Sequence, residues 1–130
     1  MAELTINILS PSRVVLRQAA SSITLPSVLG QLGILPGHTR LVSEISVGEL
    51  RVGDDSSQRF FVSGGYIDIK DNNVNVLADV VERPDEISID RARKALDRAK
   101  TRIEKPSADV DLTRALASMT RATQRLEIAK

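Results

Sequence analysis

The 130-residue chain contains no cysteine, which excludes disulfides and thiolate chemistry. It also lacks any apolar run near the roughly 20 residues that a helix needs to cross a bilayer. No basic start and apolar core precede Leu4, where apolar and polar residues begin to alternate, so we expect no signal peptide. Unless a presequence has been removed, we expect the chain to act in the compartment where it is made, as one ordinary domain or a small domain with an appendage.

Aromatic residues are scarce: Phe60, Phe61 and Tyr66 are the only ones. The net charge is +1, but residues 1–84 carry −2 and residues 85–130 carry +3. A basic C-terminal third favours nucleic acid, membrane or phosphate partners. Binding of single-stranded nucleic acid normally requires aromatic side chains on which bases stack. Because the aromatic residues all lie in the other part of the chain, we expect no nucleic-acid partner.

The sequence also lacks the usual signals of an active site. The glycine-rich segment 30–38 has no Gly-Lys-Ser/Thr ending, and no helix follows it, so it is not a phosphate-binding loop. His38 is the only histidine, and without cysteine a zinc site would depend on carboxylates. Ser63 does not lie in a Gly-x-Ser-x-Gly motif, and no pair of carboxylates stands out for acid–base catalysis. We therefore predict a protein without catalytic residues or a metal site.

The first 84 residues show a period of two that is typical of β-strands. Leu4, Ile6 and Ile8 alternate with polar residues, and the segment 66–70 alternates again before the turn residues 71–73. Short β-rich runs separated by Gly, Asn and Asp indicate an antiparallel β-sandwich or barrel. We expect this domain to end at residue 84.

The spacing of the apolar residues changes after Pro84, and proline is favoured at the start of a helix. Two apolar stripes with helical spacing follow, separated by the breaker Lys105-Pro106-Ser107. Their members are Ile89, Ala92, Leu96, Ala99 and Ile103, then Leu112, Ala115, Leu116, Met119, Ala122, Leu126 and Ala129. Residues 85–130 are therefore predicted to form an antiparallel two-helix hairpin. Stripes rich in alanine bury little apolar area, at about 25 cal/mol per Å², so the hairpin should need a neighbour.

Arginines repeat with one spacing in both helices. Arg91, Arg98 and Arg102 recur 23 residues later as Arg114, Arg121 and Arg125. Each set forms a row about 40° wide on its helix. One interpretation is a solvated face with local ion pairs, to which the acids of each helix contribute. The other is that the rows converge on a polyphosphate or an acidic partner. The acids available for the local ion pairs of the first interpretation are Asp97, Glu104 and Glu127.

Three segments in chain order, followed by the helix pattern, resemble the epsilon subunit of F-type ATP synthase, called delta in mitochondria. They are Gly30–His38, Val62–Gly65 and Asn73–Asp79. The resemblance covers nearly the whole chain. It implies an α+β protein, with an N-terminal β-sandwich of about ten strands followed by the C-terminal helical hairpin.

The same resemblance implies a non-catalytic subunit of the rotor in the central stalk. Residues 1–84 would bind the gamma subunit and the ring of c subunits, and residues 85–130 would regulate ATP hydrolysis. The folded hairpin would permit turnover, whereas the extended hairpin would reach the alpha–beta hexamer and inhibit it. No cofactor is required, although ATP is implied as a possible regulatory ligand. The implied location is peripheral, on the cytoplasmic face of the bacterial cell membrane.

Specific residues match the family's ATP-binding pattern and its ring-facing loop. The ATP pattern is matched by Glu82, Ile87, Arg91, Ala92, Ala95, Arg98, Ala99, Arg102, Arg121 and Arg125. Ser88 stands where the family has Asp; it can still cap a helix but cannot accept charge-assisted hydrogen bonds as a carboxylate does. The loop expected to face the c-ring and gamma contains Gln31, Leu32, Gly33 and His38.

A different class of function also fits the pattern of residues. The chain could be a free-standing β-sandwich recognition module whose basic helical tail binds a lipid surface or an acidic protein. Recovery of the chain without gamma or c subunits would favour this alternative.

Overall fold

The computed structural model describes residues 3–53, 58–105 and 111–129. The elements are β1 (Leu4–Leu9), β2 (Val14–Ala20), β3 (Ile23–Ser27), β4 (Gly30–Ile34), β5 (Leu41–Glu44), β6 (Val47–Val52), β7 (Gln58–Lys70), β8 (Asn73–Glu82), a 3₁₀ turn (Pro84–Glu86), α1 (Ile89–Glu104) and α2 (Leu112–Ala129). No helix within these residues is long and apolar enough to cross a membrane. The predicted α+β class, a β-sandwich followed by two helices, is confirmed.

The strands form two layers that share a long hairpin. The first layer is ordered β2-β1-β8-β7-β5, and the second β4-β3-β6-β7-β8. The described residues contain eight strands rather than about ten, because β7 and β8 pass through both layers and each counts once. The pairing of β1 with β8 is parallel, which corrects the expectation of a purely antiparallel sandwich. The alternating pattern could not reveal this, since both directions have a period of two.

Strand β7 bends where it passes from one layer to the other. Gly64 and Gly65 have φ angles of 75° and 105°, in the region that L side chains rarely adopt. A Cβ atom on Gly65 would overlap the carbonyl oxygen of Leu77 on the neighbouring strand. The close approach of β7 and β8 at the bend therefore requires glycine.

Apolar side chains from all eight strands meet between the layers. The predicted inward residues Leu4, Ile6 and Ile8 are fully buried there with Phe60 and Ile67. The turn expected at residues 71–73 joins β7 to β8 through Asp71 and Asn72, both with positive φ, as a two-residue hairpin turn requires.

The helical hairpin begins and ends close to the predicted residues. The Oγ atom of Ser88 accepts a hydrogen bond from the backbone N of Arg91 at 3.2 Å and caps α1. Asp111 likewise accepts from the backbone N of Arg114 at 3.1 Å. Helix α1 ends before Lys105, while Pro106 and Ser107 of the expected breaker lie outside the described residues.

The two helices pack through small side chains and dock on the sandwich through a small apolar cluster. The buried helix–helix residues are Ala92, Ala99, Ala115 and Ala122. Ile128, which was not part of the predicted stripe, is buried against Phe61 and Ile87 on the outer face of the second layer. Ile89, Leu112 and Leu116 of the predicted stripes are instead exposed. The buried seam between the helices is thus narrower than predicted and consists mainly of alanines.

Candidate functional site

A pocket of about 300 Å³ lies where the hairpin meets the end of the sandwich. It is lined by Glu82, Glu86, Ser88, Arg91, Ala92, Ala95, Arg98 and Arg125. These residues belong to the end of β8, the 3₁₀ turn, the N-cap and N-terminal part of α1, and helix α2. The volume is at the lower end of the range for pockets that bind small molecules. Because both the sandwich and the hairpin contribute lining residues, the pocket exists only while the hairpin is docked.

One face of α1 forms the floor of the pocket. Ala92 and Ala95 leave space above the helix, and Arg91 and Arg98 flank them with a spacing of seven residues. Both arginines are exposed, and neither side chain makes a hydrogen bond or ion pair with another described residue. Their donors are therefore available to a ligand.

Arg125 connects α2 with the sandwich on the opposite side of the pocket. Its Nε atom donates to Oε1 of Glu82 at 2.8 Å, and its Nη2 atom donates to Oε2 at 3.4 Å. The guanidinium also lies 4.5 Å from the centre of the buried Phe61 ring, a cation–π distance. Both charged side chains are about 30% exposed, so the pair is only partly screened by solvent.

Glu86 belongs to the pocket although it was not among the predicted site residues. Its carboxylate accepts hydrogen bonds from the backbone N of Arg83 at 2.9 Å and from Nη2 of Arg13 at 2.8 Å. The Arg83 backbone hydrogen bond is the main cause that lowers the pKa of Glu86 from its usual value, and Arg13 lowers it further. Glu86 is therefore ionised and already neutralised by Arg13 at neutral pH. This contact could not be predicted from the sequence because Glu86 and Arg13 are 73 residues apart.

The balance of charges in the pocket favours an anion. Both carboxylates, Glu82 and Glu86, are paired with arginines, whereas Arg91 and Arg98 have no hydrogen-bond or ion-pair partner among the described residues. Guanidinium groups bind phosphate oxygens through two parallel hydrogen bonds. Among the described residues no group of three potential ligands could hold a metal ion. The arrangement can therefore bind a phosphate-bearing ligand, with the alanine floor accommodating an apolar portion.

Of the eleven positions that the family's ATP-binding pattern assigns, seven line the pocket, and four lie outside it: Ile87, Ala99, Arg102 and Arg121. Ile87 is buried with Phe61 and Ile128, where it helps the hairpin to dock. Arg121 is half-buried on α2 and donates to Oγ of Ser118 at 3.1 Å. Arg102 is exposed and does not line the pocket.

The acids of α1 do not neutralise the arginine row on that helix, which the interpretation as a solvated face with local ion pairs requires. The ion pair recorded within α1 joins Lys94 to Asp90 at 3.2 Å. Within the described ranges, neither Asp97 nor Glu104 pairs with an arginine. The row on α1 is consequently unneutralised by its own helix.

The residues predicted to face the c-ring do not form a single loop. Gly30–Ile34 is strand β4, which corrects the expectation of a loop over residues 30–38. Gln31 and Gly33 are exposed on it, and Leu32 packs partly on the core. His38 lies beyond the other end of β4, with Nδ1 2.7 Å from the backbone oxygen of Thr39. Gln31 and His38 therefore occupy opposite ends of this strand.

Two family models match the chain. The model of the ATP synthase delta/epsilon chain β-sandwich domain matches residues 3–84, and that of the delta/epsilon chain long α-helix domain matches residues 85–130. Among similar proteins, the ATP synthase epsilon chain of Moorella thermoacetica is 37% identical, covering 99% of this chain and 98% of the relative. The ATP synthase epsilon chain of Symbiobacterium thermophilum is 38% identical, covering 99% and 94%.

Solved structures share the fold at lower identity. A chain of the Euglena gracilis mitochondrial ATP synthase, in a structure that includes the c-ring, superposes with a TM-score of 0.73 at 22% identity. The match covers 99% of this chain and 78% of that one. A chain of the central stalk and c-ring structure of the Tetrahymena thermophila mitochondrial ATP synthase gives a TM-score of 0.66 at 12% identity, covering 99% and 98%.

Proposed function

The chain belongs to the delta/epsilon family of ATP synthase as an epsilon subunit, and from this premise we propose that its helical hairpin is a regulatory arm that senses ATP. Epsilon chains are stalk subunits and not the catalytic ones, so the protein is a non-catalytic part of the complex. The family match spans residues 3–130 and replaces the alternative of a free-standing recognition module.

The two parts of the chain have different roles in this proposal. Residues 1–84 bind the gamma subunit and rest on the c-ring, with the exposed Gln31 on β4 as one contact. Residues 85–130 regulate hydrolysis. The complex places the chain at the periphery of the bacterial membrane, on its cytoplasmic face. Solved relatives that share the fold occur in central stalk and c-ring assemblies, which supports this arrangement.

A limited docking interface supports a mobile hairpin. The apolar contact between helices and sandwich is a cluster built on Phe61, Ile87 and Ile128, and one ion pair, Arg125 with Glu82, joins the same surfaces. Releasing so little buried area costs far less than unfolding the sandwich. In the extended state the helices would lie along gamma, reach the alpha–beta hexamer and block ATP hydrolysis.

The observation that carries ATP sensing is the shared pocket. Arg91 and Arg98 of α1 face Arg125 of α2 and Glu82 of β8 around one cavity. A ligand that requires all three elements binds only the docked hairpin and therefore shifts the population toward it. ATP suits the pocket because its phosphate oxygens can accept hydrogen bonds from the guanidinium groups of Arg91 and Arg98.

Removal of the hairpin tests the regulatory role. A chain that ends at Pro84 should still assemble into the complex, and ATP hydrolysis by that complex should rise relative to the full-length chain. Equal hydrolysis rates with both chains would show that the hairpin is only structural.

Calorimetric titration tests ATP binding to the isolated full-length chain. The wild type should release heat on addition of ATP at up to millimolar concentrations, and Arg91→Ala should abolish it. Arg114→Ala is the matched control, because Arg114 has the corresponding place in the other helix but does not line the pocket. A wild-type chain that gives no heat at millimolar ATP would exclude the sensor while leaving the inhibitory arm to be judged by the truncation.

A further inference from the structure

The charge of the candidate pocket depends on a residue that does not line it. The lining residues include three arginines and two carboxylates, so the lining carries one net positive charge. Arg13, in the turn between β1 and β2, is not among them but donates to one of the carboxylates, Glu86. Arg13 therefore supplies the site with a positive charge that the lining itself does not contain.

The turn between β1 and β2 fixes the backbone of Arg13. The backbone N of Ser10 donates to the backbone oxygen of Arg13 at 2.9 Å, and the backbone N of Arg13 donates to the backbone oxygen of Ser10 at 3.4 Å. From this position Nη2 of Arg13 donates to both carboxylate oxygens of Glu86, at 3.1 Å to Oε1 and 2.8 Å to Oε2. The sandwich thus provides the counter-charge for a carboxylate at the wall of the pocket.

Glu86 is also held beside the pocket without Arg13. Its Oε1 atom accepts a hydrogen bond from the backbone N of Arg83 at 2.9 Å, and its backbone N donates to the backbone oxygen of Arg83 at 2.9 Å. The Arg83 side chain is fixed on the sandwich, since Nη2 donates to the backbone oxygen of Val15 at 2.9 Å and the guanidinium lies 5.1 Å from the centre of the Phe60 ring. Loss of Arg13 would therefore leave a carboxylate without its counter-charge at the pocket, and the turn would keep its shape.

We propose that Arg13 determines the affinity of the pocket for polyphosphates by neutralising Glu86, although it does not contact the ligand. The inference rests on the proposed function, since it concerns the same pocket. Phosphate groups bound to Arg91 and Arg98 share the cavity with Glu86, and an unneutralised carboxylate there repels them. A residue of the β1–β2 turn thereby controls a ligand that is held mainly by the helices.

Calorimetric titration of ATP into the full-length chain at low salt tests this assignment through a double-mutant cycle. Arg13→Ala should raise the Kd about 3- to 10-fold, because the charge of Glu86 is left without a partner. Glu86→Gln removes that charge and keeps an oxygen for the backbone N of Arg83. The variant with both changes should therefore bind ATP within about 2-fold of the wild type.

Arg17→Ala is the matched control. Arg17 is an exposed arginine of β2 whose Nε donates to the neutral side chain of Asn7, and it does not line the pocket. Its replacement removes the same charge from the chain and should leave the Kd unchanged. Arg13→Lys keeps the charge at position 13 and should bind ATP more tightly than Arg13→Ala.

Salt dependence and thermal melting separate this electrostatic effect from a structural role. The side chains of Arg13 and Glu86 are 47% and 35% exposed, so added salt should shrink the ratio of the Kd values of Arg13→Ala and wild type. Arg13→Ala and the double variant both lack the ion pair and should have similar Tm values, although their Kd values differ. A double variant that binds as weakly as Arg13→Ala would overturn the proposal, because Arg13 would then act through the shape of the turn. Arg17→Ala binding as weakly as Arg13→Ala would also overturn it.

Inorganic pyrophosphate is the second probe, and it distinguishes this proposal from the proposed function. A wild-type chain that binds pyrophosphate but not ATP, with the same order of Kd values among the variants, would support the role of Arg13 and contradict ATP sensing. A wild-type chain that binds ATP with a Kd unchanged by Arg13→Ala would contradict only the role of Arg13. Binding of neither probe by the wild type would contradict both.

Discussion

Arg125 and Glu82 join the hairpin to the sandwich through a contact of 2.8 Å between Nε and Oε1. The same guanidinium lies over the ring of Phe61 and lines the candidate ATP pocket. Arg125 therefore serves both the docked conformation and the proposed ligand site. A bound polyphosphate would have to share this guanidinium with Glu82, so docking and ligand binding are energetically coupled through one side chain.

Replacing Arg125 by alanine should loosen the docked hairpin. The change removes a partly exposed ion pair and a cation–π contact, together roughly 1–2 kcal/mol. Hydrogen exchange of the α2 amides should accelerate accordingly, while that of the sandwich core stays constant. Arg114→Ala, at an exposed position of the same helix, should change neither rate. Equal protection in Arg125→Ala and wild type would show that the contact contributes nothing to docking.

Ile128→Ala should undock the hairpin more strongly. Ile128 is 1% exposed and packs on Phe61 and Ile87; truncation of a buried isoleucine costs about 2–5 kcal/mol. The expected result is loss of amide protection throughout α2. Leu116→Ala is the control, since Leu116 is 45% exposed in the same helix and should cost little. Similar effects of the two changes would contradict the observed docking face.

Two substitutions of Ser88 distinguish its role in capping α1 from a role in ligand binding. Ser88→Ala removes the bond to the backbone N of Arg91 and should destabilise α1 by about 1 kcal/mol. Ser88→Asp keeps a capping oxygen and should leave stability nearly unchanged. If the position contacts nucleotide as the family pattern implies, Ser88→Asp should tighten ATP binding about 10-fold through a charge-assisted bond. Calorimetry with ATP and thermal melts of all three chains provide both readouts.

The hydrogen bonds that Glu86 accepts from the backbone N of Arg83 and from Arg13 should make stability depend on pH in the acid range. Because its pKa in the folded chain is below the usual 4.5, Glu86 stabilises the fold at neutral pH. This stabilisation should disappear as pH falls below about 4.5 and through the lower folded-state pKa. The difference in Tm between wild type and Glu86→Gln should therefore be largest near neutral pH and shrink as the pH falls below about 4.5. A difference that is constant across this range would contradict the assignment.

Gly65→Ala should destabilise the sandwich severely. The residue has a φ of 105°, and an added Cβ would overlap the backbone of β8, so a cost above about 3 kcal/mol is expected. Gly33→Ala is the control: Gly33 has an ordinary φ, and the nearest atom to its added Cβ, on Thr24, is 3.9 Å away. Urea unfolding of both variants measures the difference, and comparable midpoints would show that the bend tolerates a side chain.

Features that depend on neighbours in sequence were predictable. Alternation at Leu4, Ile6 and Ile8 marked the inward face of β1, and the hairpin turn at Asp71 followed from turn chemistry. The cap at Ser88 was likewise predictable. Each is decided by local backbone preference and by which face meets the core.

The candidate site was predictable only as a set of positions. The spacing of seven residues put Arg91 and Arg98 on one face of α1, and the family pattern added Glu82 and Arg125. That these side chains surround one cavity depends on how α2 docks, which the sequence did not show. Ile128, which packs against Phe61 and Ile87 where α2 docks, lay outside the predicted stripe.

The amino-acid sequence by itself determined the two-part α+β organisation, because period and turn residues act over a few positions. Only the tertiary structure decided the parallel pairing of β1 with β8 and the hydrogen bond from Arg13 to Glu86. Each of these brings together residues on different strands or far apart in the chain, and their contact depends on which surfaces pack together. Local periodicity carries no information about that choice, since the same pattern fits either strand direction and any partner that buries the apolar face.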